Sequence, residues 1–149
     1  MTPMPDLPLT GHCLCGDVRF EITQPLIGAT YCHCSRCQRR TGAAASANGT
    51  LAADSLRIVD GEDLVETYWP PDGAAKLFCR ACGSALFSQT RTDPPRWGVR
   101  LGALDGDPGI RPRFRQHVDS AASWEPIPDD GLPRYPGQAP AEAFVSDAP

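Results

Sequence analysis

Phe78-Cys79-Arg80-Ala81-Cys82-Gly83-Ser84 places a C-x-x-C-G turn between two short apolar runs, Ala75 to Phe78 and Ala85 to Gln89. A related turn stands near the start of the chain, Gly11-His12-Cys13-Leu14-Cys15-Gly16. Glycine follows the second cysteine in both, where a metal-gripping turn aims backbone N–H groups at sulfur and the chain leaves through a conformation that only glycine takes cheaply. Two such pairs supply the four ligands of a tetrahedral structural zinc site. Cys13, Cys15, Cys79 and Cys82 are therefore expected to close one site and tie an N-terminal strand to a central hairpin. The remaining cysteines form Cys32-His33-Cys34-Ser35-Arg36-Cys37, three thiols with no fourth cysteine. Three protein ligands and one exchangeable position are the arrangement of a catalytic zinc.

Other arrangements remain open from spacing alone. The set of four is also compatible with two disulfides or an iron–sulfur cluster. The set of three could close with His33, His12 or His117 as fourth ligand. The pairing could also be exchanged, with Cys79 and Cys82 completing the other site. Seven cysteines suit a fully paired disulfide framework poorly. Met1 to Leu9 has neither a basic segment nor an apolar one and does not read as a signal peptide, so a cytoplasmic location with reduced thiols is expected.

Working outward, the 149 residues suit one domain with a tail. The net charge of −4 argues against a general nucleic-acid partner, which needs a basic footprint. No apolar run is long enough to span a bilayer, so no membrane partner is expected. Val18, Phe20 and Ile22 alternate, which predicts a strand over Asp17 to Ile22. Ile27 to Tyr31, Trp97 to Leu104 and Phe114 to Val118 read as further strands, whereas Ala43 to Leu51 is ambiguous by periodicity. Leu56 to Val59 and Leu64 to Trp69 flank Asp60-Gly61-Glu62-Asp63, a hairpin signal. No stretch has helical periodicity beyond about two turns. The prolines from Pro126 to Pro140 exclude regular structure there, leaving either a wrap over the core or a loose tail. The expected fold is mainly β, built from small antiparallel sheets pinned by zinc.

Three blocks together resemble the glutathione-dependent formaldehyde-activating enzyme family, also called GFA or centromere-protein-V-like. They are Gly11 to Glu21, Cys32 to Ala43 and Phe78 to Phe87, in family order and at family-like spacing. Ser120 to Trp124 and Asp129 to Pro133 resemble its C-terminal segment, with Gly131 inserted. The resemblance implies an Mss4-like β-tent and a division into a flexible lead-in (1–10), a zinc domain (11–133) and a Pro-rich tail (134–149). It also implies two Zn2+ per chain: a structural ion on Cys13, Cys15, Cys79 and Cys82, and a labile catalytic one on Cys32, Cys34 and Cys37. The implied reaction joins glutathione to formaldehyde, which would make the protein a carbon–sulfur lyase or synthase.

The ligand charge agrees with sulfur chemistry. Three thiolates on a divalent ion leave a net −1, which suits holding a substrate thiol as thiolate better than making hydroxide. The competing reading is a non-catalytic zinc or partner-binding module on the same scaffold. A sulfoxide-reductase-like reading needs a free nucleophilic cysteine, and none remains after the division. Arg36, Arg39 and Arg40 read as a solvated basic turn, with carboxylate pairing of an anionic thiol as the functional alternative. Trp69, Trp97 and Trp124 are expected in the core. His33 is expected to point away from the metal, in a supporting or surface position. The small residues Ala43 to Ala47 suggest room beside the open site.

Overall fold

Alternation of the apolar residues generates two sheets, and one aromatic pair joins them. In this computed structural model, which describes residues 4–145, β1 (Leu9–His12), β2 (Arg19–Ile22) and β5 (Leu56–Asp60) form a three-stranded antiparallel sheet in the order β1-β2-β5. The second sheet has seven strands: β3 (Gly28–Cys32), β4 (Ser46–Thr50), β6 (Val65–Tyr68), β7 (Ala75–Cys79), β8 (Ala85–Gln89), β9 (Trp97–Arg100) and β10 (Arg115–Gln116). Its order is β10-β3-β4-β9-β8-β7-β6. The β10–β3 pair is parallel, so this sheet is mixed rather than wholly antiparallel. Phe20 of β2 and Phe87 of β8 meet edge to face, 4.9 Å between centroids, and both are almost fully buried. Val18, Ile22, Leu86 and Val99 complete the centre of this core.

The expected β5–β6 hairpin does not form. β5 pairs with β2, whereas β6 pairs with β7, and the two strands belong to different sheets. The link between them contains a 3-10 turn over Glu62–Leu64. Leu64 also accepts a bond from the Arg80 N–H at 2.9 Å, fixing the chain against the C-x-x-C turn. The turn residues mark a turn correctly, with Gly61 in the left-handed region, but each strand finds its partner elsewhere. Ser46–Thr50, ambiguous by sequence, is a central strand. Its single α-helix among the described residues is α1 (Ser35–Thr41).

Leu9 and Thr10 pair with Ile22 and Glu21 in β1, so the strand begins inside the segment expected to be a flexible lead-in. Residues 1–3 of that lead-in and 146–149 of the tail lie outside the described residues. The Pro-rich segment wraps over the core. Proline cannot donate a backbone bond but still accepts one, and Pro133 and Pro136 accept from Arg115 and Asp119 at 2.9 and 3.2 Å. Tyr135 returns a bond to the Arg115 carbonyl at 2.8 Å. Phe144 and Tyr135 then pack on Phe114 in a second, smaller apolar cluster.

Candidate metal centres and the adjoining cavity

The thiols of Cys13, Cys15, Cys79 and Cys82 lie within 4.8 Å of one another, and so do those of Cys32, Cys34 and Cys37. In the first group the two turns are built alike. Gly16 N–H donates to the Cys13 carbonyl at 3.0 Å, and Gly83 N–H to the Cys79 carbonyl at 2.7 Å. Both glycines have positive φ, 83° and 81°. No atom lies within 4 Å of the position a Cβ would take at either, so backbone conformation and not crowding selects glycine. Val18 N–H donates to Cys13 Sγ at 3.3 Å. The Ser84 hydroxyl, 3.2 Å from Cys82 Sγ, draws that thiol down to about 5.

In the second group the C-x-C-x-x-C spacing turns a strand end into a helix start. Cys32 ends β3. Cys34 caps α1, its sulfur accepting from the Cys37 N–H at 3.3 Å. This is the geometry by which a serine or aspartate caps a helix, with sulfur in place of oxygen. Cys37 sits within the first turn and is buried. Thiol donation from Cys32 and Cys34 holds Cys37 down at about 2, while the same contacts push Cys32 far up. Without a cation, three sulfurs this close cannot all ionise, and the donor set is complete only with one.

Both groups fit a thiophilic metal. Sulfurs bound tetrahedrally about 2.3 Å from zinc stand about 3.8 Å apart, and Cys13 and Cys15 Sγ are 3.5 Å apart. All-sulfur donor sets are consistent with zinc. Among the described residues no histidine or carboxylate joins either group. His12 Nδ1 instead faces its neighbour's carbonyl at 2.7 Å. His117 Nε2 faces Gln138 at 3.1 Å. His33 is buried and meets Arg115 at 3.1 Å, the supporting position rather than the surface one.

The three-thiol group opens on a cavity of ≈ 690 Å³. Its floor is one face of the large sheet, read directly from the register. Lys76 pairs with Ser88, Ser88 with Gly98 and Gly98 with Thr50; two residues along, Arg100 pairs with Asn48 and Asn48 with Thr30. The opposite face carries Leu77, Phe87 and Val99 into the core. This floor was not legible in the sequence, because its residues alternate with core residues on five separate strands. The room comes from that sheet face, since none of Ala43 to Ala47 lines the cavity.

The three neighbouring arginines diverge. Arg39 is exposed. Arg36 lines the cavity and is ion-paired with Asp72. Arg40 is not part of a solvated turn: it is half-buried, donates to the Leu77 carbonyl at 3.0 Å and lies over the Phe78 ring. Burial and then the Arg100 charge bring Arg40 down to about 10. Only Trp97 packs against the core; Trp69 and Trp124 are exposed, 45% and 65%.

A mainly β protein that gathers seven cysteines into one closed and one open thiol cluster beside a cavity belongs to a recognisable class. The family profile described as "Glutathione-dependent formaldehyde-activating enzyme" matches residues 8–120. A Halomonas elongata protein named "Putative glutathione-dependent formaldehyde-activating enzyme" is 31% identical over 151 residues, covering 90% of this chain and 92% of its own. A Sordaria macrospora protein of the same name is 24% identical, over 64% of this chain and 43% of its own. A crystal structure of a Rhodobacter sphaeroides protein superposes with TM-score 0.56 at 28% identity, covering 85% of this chain and 98% of that one. The chain belongs to the glutathione-dependent formaldehyde-activating enzyme family.

Proposed function

We propose that the protein is a zinc-dependent carbon–sulfur lyase or synthase that joins a glutathione-like thiol to a small aldehyde and cleaves the adduct in reverse. The observation that carries this reading is the open cluster: three thiols within 4.8 Å, no fourth protein ligand among the described residues, and a cavity of ≈ 690 Å³ in front of them. Cys13, Cys15, Cys79 and Cys82 would hold a structural Zn2+, and Cys32, Cys34 and Cys37 a labile catalytic one. Zinc at the open cluster would supply a site that lowers the pKa of a substrate thiol and keeps its sulfur nucleophilic.

The overall reaction forms one C–S bond at the carbonyl carbon. The C=O π pair moves to oxygen, and the proton lost by the thiol ends on that oxygen. The chain's own part is electrostatic and positional. Lys76, Arg100 and Arg40 surround Cys37 with positive charge, which favours thiolates over thiols. Arg115 holds His33, and through it the turn between Cys32 and Cys34. Reduced thiols throughout suit a cytoplasmic location.

The test is metal content together with adduct formation. Protein carrying two zinc ions should accelerate the appearance of S-(hydroxymethyl)glutathione, followed by NMR, above the uncatalysed rate. A mild chelator should remove one ion and the acceleration together, and zinc should restore both. Stoichiometric zinc with no acceleration across several thiols and aldehydes would leave a non-catalytic binding module.

A further inference from the structure

The cavity beside the open cluster is positively charged in a chain whose net charge is −4. Its lining includes Arg36, Lys76, Arg91, Arg96 and Arg100, and among the described residues no aspartate or glutamate lines it. Three of these cations have other partners. Arg36 is held by Asp72. Arg91 donates to the carbonyls of Gly73 and Pro70 and lies over the Trp69 ring. Arg96 stacks on Phe144, 4.0 Å from its centroid.

Lys76 and Arg100 differ from these three. Neither forms an ion pair among the described residues. Arg100 is 9% exposed, and its Nε is buried without a hydrogen-bond partner. Its Nη1 donates to the Asn48 side-chain oxygen, and Asn48 in turn donates to Ser46 Oγ at 2.9 Å. The guanidinium is thus aimed by neutral groups and paired with no carboxylate among the described residues. A buried cation of this kind costs stability unless something anionic meets it. Lys76 stands two strands away on the same sheet face, about 10 Å across, and burial presses its ammonium toward the neutral form.

The open cluster accounts for part of this charge. Three thiolates with a divalent metal carry about −1, whereas Arg40, Lys76 and Arg100 all lie within electrostatic reach of Cys37. A surplus of positive charge therefore remains, and of its three carriers Lys76 and Arg100 line the cavity. We propose that Lys76 and Arg100 form an anion subsite that takes a carboxylate of the substrate thiol, so that the protein selects acidic thiols over neutral ones. This rests on the thiol–aldehyde reading and assigns the residues that would set its thiol specificity.

Zinc-loaded full-length protein tests it with three probes: glutathione, its diethyl ester and S-methylglutathione, which keeps both carboxylates but has no free thiol. Losing one charged contact corresponds to roughly tenfold. The diethyl ester should show kcat/KM at least about tenfold below that of glutathione. Arg100→Gln and Lys76→Gln should each lower kcat/KM for glutathione by roughly tenfold more than they lower that for the ester. Arg100→Lys should recover most of the loss. Equal losses for acid and ester would show a merely structural role and overturn the proposal, as would an ester used as well as glutathione by the wild type.

S-methylglutathione separates the two readings. If calorimetry shows that it binds, and that binding weakens in Arg100→Gln, the anion subsite stands even where no adduct forms and the lyase reading fails. If adduct forms but binding and turnover ignore the carboxylates, the subsite fails alone. Absence of binding by every carboxylate probe overturns the subsite.

Discussion

Nη1 of Arg115 lies 3.1 Å from Nε2 of His33, across 82 positions of sequence. The same guanidinium donates to Asp130 at 2.7 and 3.2 Å and lies over the Tyr31 ring. One buried side chain therefore links the Pro-rich segment, strand β3 and the turn between Cys32 and Cys34. Replacing it with methionine keeps much of the apolar stem and removes every donor. His33 and Asp130 would then lose their shared partner. Arg115→Met is expected to cost about 2–3 kcal/mol, read as a lower urea midpoint at pH 7, and to loosen metal at the open cluster. An unchanged midpoint would mean that water replaces the guanidinium without loss.

His33 also makes stability depend on pH. Burial, with the Arg115 charge as second cause, holds its imidazole below the ordinary value of 6.5. Below about that pH the unfolded chain binds more protons here than the folded chain does. The contribution of His33 is therefore complete above pH 6.5 and is lost as pH falls from there toward the folded pKa. Acid also protonates the thiols, so the useful quantity is a difference between two proteins. Between pH 7.5 and 5.5, wild type should lose more stability than His33→Asn, compared by denaturant midpoints at fixed zinc. Parallel curves would show that His33 does not contribute.

The cysteine groups should separate in their effect on folding. Cys79 is fully buried and ends β7, in a cluster that joins both sheets, whereas Cys37 lies on a two-turn helix at the cavity. Structural zinc contributes on the order of 10 kcal/mol to folding of small domains. Cys79→Ser is therefore expected to abolish cooperative unfolding. Cys37→Ser should remain folded, retain one zinc by metal analysis and lose adduct formation. The opposite pattern would exchange the roles of the two clusters.

These clusters were legible in the sequence because metal ligation is local in its spacing. C-x-C-G and C-x-x-C-G each encode a turn, and C-x-C-x-x-C encodes a strand end, a helix cap and the first turn of a helix. The strands flanking Cys79 and Cys82 were legible for the same reason, with apolar runs meeting a turn that admits one geometry. The partners of β5 and β6 were not. A turn signal at Asp60-Gly61 says that the chain turns, not which sheet receives the next strand. The cavity floor was hidden more completely, because Lys76, Ser88, Arg100 and Asn48 become neighbours only once the register is set. Trp69 and Trp124 misled in the opposite direction: size predicts burial on average, yet a small core is already filled by Phe20, Phe87 and Leu86.

Phe144 provides a way to test whether the C-terminal wrap shapes the cavity. It is 7% exposed, meets Phe114 edge to face at 5.3 Å, supports Arg96 and contributes to the cavity wall. Truncating a buried phenylalanine costs about 3–5 kcal/mol. Because its cluster is separate from the main core, Phe144→Ala should release the wrap locally before the sheets unfold. Limited proteolysis should then cut within residues 134–145 in the variant while the remainder resists. Gly28→Ala offers a second route to the same state, because a Cβ at Gly28 would stand 1.9 Å from the Phe144 carbonyl oxygen. That variant pushes the wrap away through its backbone and leaves the aromatic ring intact. If both variants expose the same cleavage sites and raise KM for the thiol more than they lower kcat, the wrap forms part of the substrate wall. If both cut readily with turnover unchanged, the wrap contributes stability alone.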